Sequence, residues 1–178
     1  MMLYGAYTAM TEPKKTVIVA DAGPLIHLDE LNCLDVLGDY PEILVPSTVW
    51  QEVGRHRPQV LANKHVHLVL CAEFEISPEV LAVTPFYTLH QGETEALMLC
   101  MQFVESTLLT DDTAARLAAQ SLGVSAHGTL GLLLRAIRRG TRTKEQVSHI
   151  LAMIPSQSSL HIRPSLLADI IRQTKELH

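Results

Sequence analysis

The sequence predicts an α/β protein of three layers, α/β/α, built on a mainly parallel central sheet and extended by extra helices at the C-terminus. Three features of the chain carry this. Residues 16–20, 43–45 and 107–110 are short runs of aliphatic and β-branched side chains without polar alternation, the pattern of strands covered on both faces. Segments with apolar residues at helical spacing separate those runs, so strands and helices alternate along the chain. Two of the strands end on acids, Asp21 after the first and the pair Asp111 and Asp112 after the later one. With no internal repeat and no long linker, residues 16–178 read as one domain, a core over 16–126 and a helical tail over 127–178. Residues 1–15 read as a loosely held leader. Their lysines, Lys14 and Lys15, follow the apolar part rather than precede it, the reverse of a secretory signal.

Taken in order, the first strand runs into Asp21-Ala-Gly-Pro-Leu-Ile26, where Gly23 makes a turn and Pro24 opens a helix over 24–37 closed by Gly38. Asp21 is either a cap for that helix or an acid at the edge where open α/β sheets bind ligands, and this stretch alone favours neither. The strand at 43–45 stops at Pro46. Thr48 and Gln51 then have capping-box spacing, which starts a helix with Glu52 in its first two turns. Residues 58–72 read as helix, with a strand as the alternative because apolar and other residues alternate around 65–70. Residues 74–76 read as a brief strand, followed by a loop punctuated by Pro78 and Pro85. Gly92 opens a mostly buried helix over 93–105. A strand at 107–110, a helix over 113–122 closed by Gly123 and a last short strand at 124–126 complete the core. Helices at 129–139, 144–154 and 164–176 make the tail.

Composition excludes several classes. Of 178 residues 47% are hydrophobic and 19% charged, which rules out a disordered chain. Aromatic residues are 4%, too few for a base-stacking platform, and the net charge of −5 offers no global attraction for nucleic acid, so any such binding needs a local basic patch. Cys33, Cys71 and Cys100 are odd in number and widely spaced, which fits a reduced, cytoplasmic chain better than a disulfide scaffold or zinc site. No apolar run approaches a membrane span, so no membrane partner is expected.

Four acidic positions share a placement. Asp21 and Asp111/Asp112 follow strands, while Glu52 and Glu93/Glu95 lie in the first turns of helices, and in a parallel sheet these belong to one edge. Acids crowded there repel unless a cation lies between them, and oxygen ligands select Mg²⁺ or Mn²⁺. Each helix acid has a plainer explanation, a favourable interaction with the helix dipole worth about 0.3–1 kcal/mol. Glu93 and Glu95, two apart, point to different sides of their helix. Glu93 lies above the apolar stripe of Ala96, Leu97 and Cys100, which makes it the better ligand candidate.

The motifs Val17-Ile-Val-Ala-Asp21-Ala-Gly-Pro-Leu-Ile26, Val45-Pro-Ser-Thr-Val-Trp-Gln-Glu52-Val53, Gly92-Glu-Thr-Glu-Ala-Leu97 and Leu108-Leu-Thr-Asp-Asp112, in this order and spacing, resemble the PIN-domain family, metal-dependent ribonucleases that include VapC-type toxins. The tail beginning His127-Gly-Thr-Leu-Gly is similar to a PIN-like branch of bacteria and archaea. The resemblance implies an Mg²⁺- or Mn²⁺-dependent endoribonuclease, with RNA as substrate and an antitoxin protein as partner if it is the toxin of a toxin–antitoxin pair. It implies a metal pocket of Asp21, Glu52, one of Glu93 and Glu95, and one of Asp111 and Asp112. Two departures stand out: Ala22 and Gly23 where members often carry a hydroxyl or amide residue, and Glu where the third acid is commonly Asp.

Thr110, at a strand end, is a candidate for orienting water or phosphate, or simply a β-favouring residue. Arg135, Arg138, Arg139 and Arg142 recur at helical spacing and are expected to form the phosphate side of a groove, against the alternative that they solvate a helix end. The leucine-rich helix at 129–139 and the stripe Leu166, Leu167, Ile170 and Ile171 are expected to bury one another, with a homodimer as the alternative. A receiver domain is excluded because no strand-end Lys follows, and a haloacid-dehalogenase phosphatase because position 23 is Gly rather than an acid. The remaining rival is a PIN-like module that binds nucleic acid or protein without useful turnover.

Overall fold

β-Branched and aliphatic side chains stiffen an extended backbone, and the runs rich in them form the sheet. A computed structural model describes residues 16–176; the expected leader, residues 1–15, lies outside the described residues. The strands are β1 (Val17–Ala20), β2 (Ile43–Pro46), β3 (Leu68–Cys71), β4 (Ser106–Leu109) and β5 (Ser125–His127). They are all parallel, in the order β3-β2-β1-β4-β5. The helices are α1 (Ala22–Glu30), α2 (Ser47–His56), α3 (Pro58–Leu61), α4 (Pro78–Val83), α5 (Gln91–Met101), α6 (Thr113–Ser121), α7 (Thr129–Arg138), α8 (Lys144–Gln157) and α9 (Pro164–Glu176).

Strand periodicity separates two cores. Ile18, Ala20, Ile43, Val45 and Leu109 point to one face and pack with α1, α2 and the tail helices α7, α8 and α9. Val19 and Leu108 point to the other and pack with Ala96, Leu97 and Cys100 of α5 and Ala118 and Ala119 of α6. The result is the expected three-layer α/β/α arrangement. The tail is part of the first core: Leu132, Leu133, Leu151 and Ile154 are fully buried, and Ile170 and Ile171 pack against the same cluster. Among the described residues no helix is long and apolar enough to cross a membrane.

Several local expectations are corrected. The helix expected over 24–37 is two pieces. It starts at Ala22, so Gly23 lies within its first turn, and it ends at Glu30 because Asn32 takes a φ of 52° while Cys33 N–H bonds back to Leu28 O at 2.9 Å. A 3₁₀ turn, Leu34–Leu37, follows. The capping box at Thr48 and Gln51 does not form; α2 starts at Ser47, and the Thr48 hydroxyl bonds to Glu95 instead. Over 58–72 the chain makes the short α3 and then β3, so the strand alternative holds for the second half. Residues 74–76 are not a strand. The proline after them starts α4 rather than a loop, with Ser77 Oγ accepting from Val80 N–H at 3.3 Å.

Candidate active site

Strand order reverses direction between β1 and β4, and a crevice opens beyond the carboxyl ends of strands at such a point. Asp21 follows β1, and Asp111 and Asp112 follow β4. Glu52 comes from α2 and Glu93 from the first turn of α5. These five acids line one cavity of about 400 Å³, together with His27, His90 and, from the segment joining α8 to α9, Leu160 and His161.

Asp21 occupies the N-cap position of α1 but makes no side-chain cap bond there. Its carboxylate instead accepts from the hydroxyl of Thr110, 3.1 Å away. Burial, with the charges of Glu93 and Glu52 adding to it, pushes the Asp21 carboxyl up to about 6, against the opposing hydrogen bonds from Ala22 and Thr110. Thr110 is fully buried, and its oxygen also accepts from Asp112 N–H at 3.2 Å. Its place is under the acids, holding the Asp21 carboxylate and the Asp112 backbone in register. It is not exposed to a substrate phosphate, which corrects the expectation for this residue.

Glu93 is buried, and its Oε2 accepts from His90 N–H at 2.7 Å, which fixes the carboxylate across the start of α5. Burial raises its pKa, with the charges of Asp112 and Glu52 acting in the same direction and the His90 bond against it. Glu95 does not line the cavity. It accepts from the Thr48 hydroxyl at 2.7 Å, from Thr48 N–H at 3.3 Å and from Gln91 at 2.8 Å, tying α5 to α2. The apolar stripe beneath Glu93 thus selects the inward acid, as the helix pattern indicates. Gly92 allows the close approach: a Cβ there would meet Val49 at 3.0 Å and stand 3.9 Å from Asp21 Oδ1.

Asp111 and Asp112 divide the work. Asp112 caps α6 through Oδ1, which accepts from Ala115 N–H at 2.7 Å, and no bond to its Oδ2 occurs among the described residues. Asp111 is held on three sides: Thr129 N–H at 2.7 Å, the Thr129 hydroxyl at 2.6 Å and His27 Nδ1 at 2.8 Å. An ionised carboxylate only accepts, so His27 donates from Nδ1. Asp111 thus ties the start of α7 to α1. Gly128 is needed there, because a Cβ would lie 2.6 Å from Asp111 Oδ1 and 3.2 Å from the Thr110 carbonyl. His27, Gly128 and Thr129 belong to this site although the sequence reading did not single them out. The Gly-Thr pair just past a strand was the available signal.

Arg135, Arg138, Arg139 and Arg142 are not at this site, which corrects the expectation of a phosphate-binding face. α7 begins at Asp111 and runs back along the sheet; its ten residues span about 15 Å. At its far end Arg135 and Arg139 bind Asp39 at 2.8 and 3.1 Å, Arg135 stacks on Tyr40, and Arg142 pairs with Asp35. Asp35 and Asp39 precede β2, so this cluster lies at the amino ends of the strands. It ties the tail to the core.

A parallel sheet with carboxylates gathered at its switch point defines an α/β protein with an acid-lined site of oxygen donors. The family model DUF3368, described as a PIN domain, matches residues 17–176, and the chain belongs to the PIN-domain family. The fold is the nuclease-like one of that family. No curated protein matches the chain. Among the described residues no three His, Cys, Asp or Glu side chains already stand together as a metal cage. By donor type, however, the acids fit a hard divalent ion: they are oxygen ligands, no Lys or Arg lines their cavity, and their charges already disfavour one another at Asp21 and Glu93.

Proposed function

We propose that this protein is an Mg²⁺- or Mn²⁺-dependent endoribonuclease acting in the cytoplasm, with Asp21, Glu52, Glu93 and Asp112 as the acids that hold the ion. The observation that carries the proposal is the gathering of these acids in one cavity, where burial first, and their mutual charge after it, raises Asp21 to about 6 and also raises Glu93. Acids so placed destabilise the protein unless a cation neutralises them, and that arrangement is typical of functional sites. Bound there, a divalent ion supplies Lewis-acid polarisation of the phosphate and a more acidic water. The chain supplies position. Thr110 sets Asp21 and the Asp112 backbone, the α6 N-terminus sets Asp112, and His90 N–H sets Glu93. Asp111 acts as a positioning residue through His27 and Thr129.

Cleavage of RNA with and without added Mg²⁺ or Mn²⁺, comparing Asp112→Asn with Asp111→Asn, tests this. Asp112→Asn is expected to abolish metal-dependent cleavage in a folded protein, and Asp111→Asn to lower the melting temperature as well as the rate. RNA binding without metal-dependent cleavage by the native chain identifies a binding module instead. The narrower reading, a toxin paired with an antitoxin protein, predicts growth arrest on expression that a small neighbouring reading frame relieves. A homodimer is the alternative partner for the tail, and sedimentation equilibrium decides it.

A further inference from the structure

The corrected place of the arginine cluster leaves open how a chain of net charge −5 holds an RNA backbone beside a cavity of acids. A second cavity, of about 530 Å³, abuts the acidic one and shares Asp111, Leu160 and His161 with it. Its character is different. Arg116 and Arg163 line it, with His127 between strand and tail, over a wall that includes Leu130, Ile162 and Leu166. Arg116 stands one helical turn beyond Asp112 on α6, and the only described bond of its guanidinium is to the Thr113 hydroxyl at 3.4 Å. Arg163 has no acid partner among the described residues, unlike Arg135, Arg139 and Arg142. The wall is built in advance. Glu30 accepts from Ser158 Oγ at 2.9 Å and Ser159 N–H at 2.7 Å, which staples the segment joining α8 to α9 onto α1.

We propose that this cavity is a nucleotide subsite: the nucleotide next to the scissile bond lodges there, its phosphate on Arg116 and Arg163 and its sugar and base on the apolar wall. The inference rests on the nuclease reading and names where its substrate runs. Guanidinium groups free of carboxylates match phosphate oxygens, and the volume falls within the range of small-molecule sites, roughly 300–1,000 Å³. A nucleotide enters such a recess only when unstacked, so the substrate is single-stranded.

Binding of a short fluorescein-labelled oligouridylate, followed by polarisation across a salt series with divalent ions chelated, tests the subsite. Arg116→Gln and Arg163→Gln are expected to weaken binding, and the double variant to flatten the slope of log K against log salt by about 0.7, one phosphate contact to a single strand. Arg138→Gln, exposed at the far end of α7, is expected to leave the slope unchanged. A native protein that binds and cleaves RNA while the Arg116 and Arg163 variants keep native affinity and slope overturns the subsite and leaves the nuclease reading standing. Equal dependence of a blunt RNA duplex on both arginines also overturns it, since a duplex cannot enter the recess. A native protein that neither binds nor cleaves RNA overturns both.

Discussion

Replacing Asp21 with Asn removes one charge from the acidic cavity with almost no change of shape. In the folded, metal-free protein the Asp21 carboxyl is held at about 6 against an ordinary 3.8, chiefly by burial. The folded state therefore binds the proton more tightly than the unfolded chain. The resulting penalty is absent below about pH 4, grows as pH rises and is complete above about pH 6, where the folded protein must bury the charge. A displacement of roughly two pH units at about 1.4 kcal/mol each is a penalty of about 3 kcal/mol at neutral pH. The amide keeps an acceptor for Thr110 and carries no charge. Metal-free Asp21→Asn is thus expected to be more stable than the native chain at pH 7.5 by up to about 3 kcal/mol, a rise in melting temperature of roughly 6–12 °C for a domain of this size. Near pH 4 the two should melt together. With millimolar Mn²⁺ the gap should close, because an ion at about a hundred times its Kd adds about 2.7 kcal/mol to the native protein only. Calorimetric melts across pH, with chelator and with metal, measure all three. A variant less stable than the native protein at pH 7.5 without metal, or a difference that does not vary with pH, refutes the account of Asp21 as a crowded, buried charge.

Thr110→Val keeps the shape of a fully buried residue but removes the partner of Asp112 N–H and leaves the Asp21 carboxylate with Ala22 alone; unfolding curves should show a loss of about 1–3 kcal/mol, and titration calorimetry a weaker metal response. Gly128→Ala drives a methyl to 2.6 Å from Asp111 Oδ1, so melting should fall by an amount corresponding to about 1–3 kcal/mol and RNA cleavage should drop with it. Glu95→Gln should preserve metal stabilisation in thermal melts, since its carboxylate serves Thr48 and Gln91 rather than the cavity.

The layer architecture was legible in the sequence because it rests on periodicity. Val17-Ile-Val-Ala20 is apolar on both faces and can only be a covered strand, and the acids at its end and at the end of β4 come to one edge in any parallel sheet. Glu93 over Glu95 was legible for the same reason: one sits on the apolar stripe and the other does not. What the sequence left open were questions of partners far apart along the chain. Asp111 and Asp112 are adjacent, and nothing local separates them. Asp111 turns to His27 and Thr129, 84 and 18 residues away, and Asp112 keeps to its own helix. The arginines at 135–142 form a helical cluster in sequence. Their ends meet Asp35 and Asp39 only because α7 runs antiparallel to the strands and carries them to the opposite edge. Arg116 and Arg163, 47 positions apart, form no pattern in the sequence and come to one cavity through the packing of the tail on the core. Local pattern decides which face of an element is buried; which charges meet across elements is decided by tertiary contact.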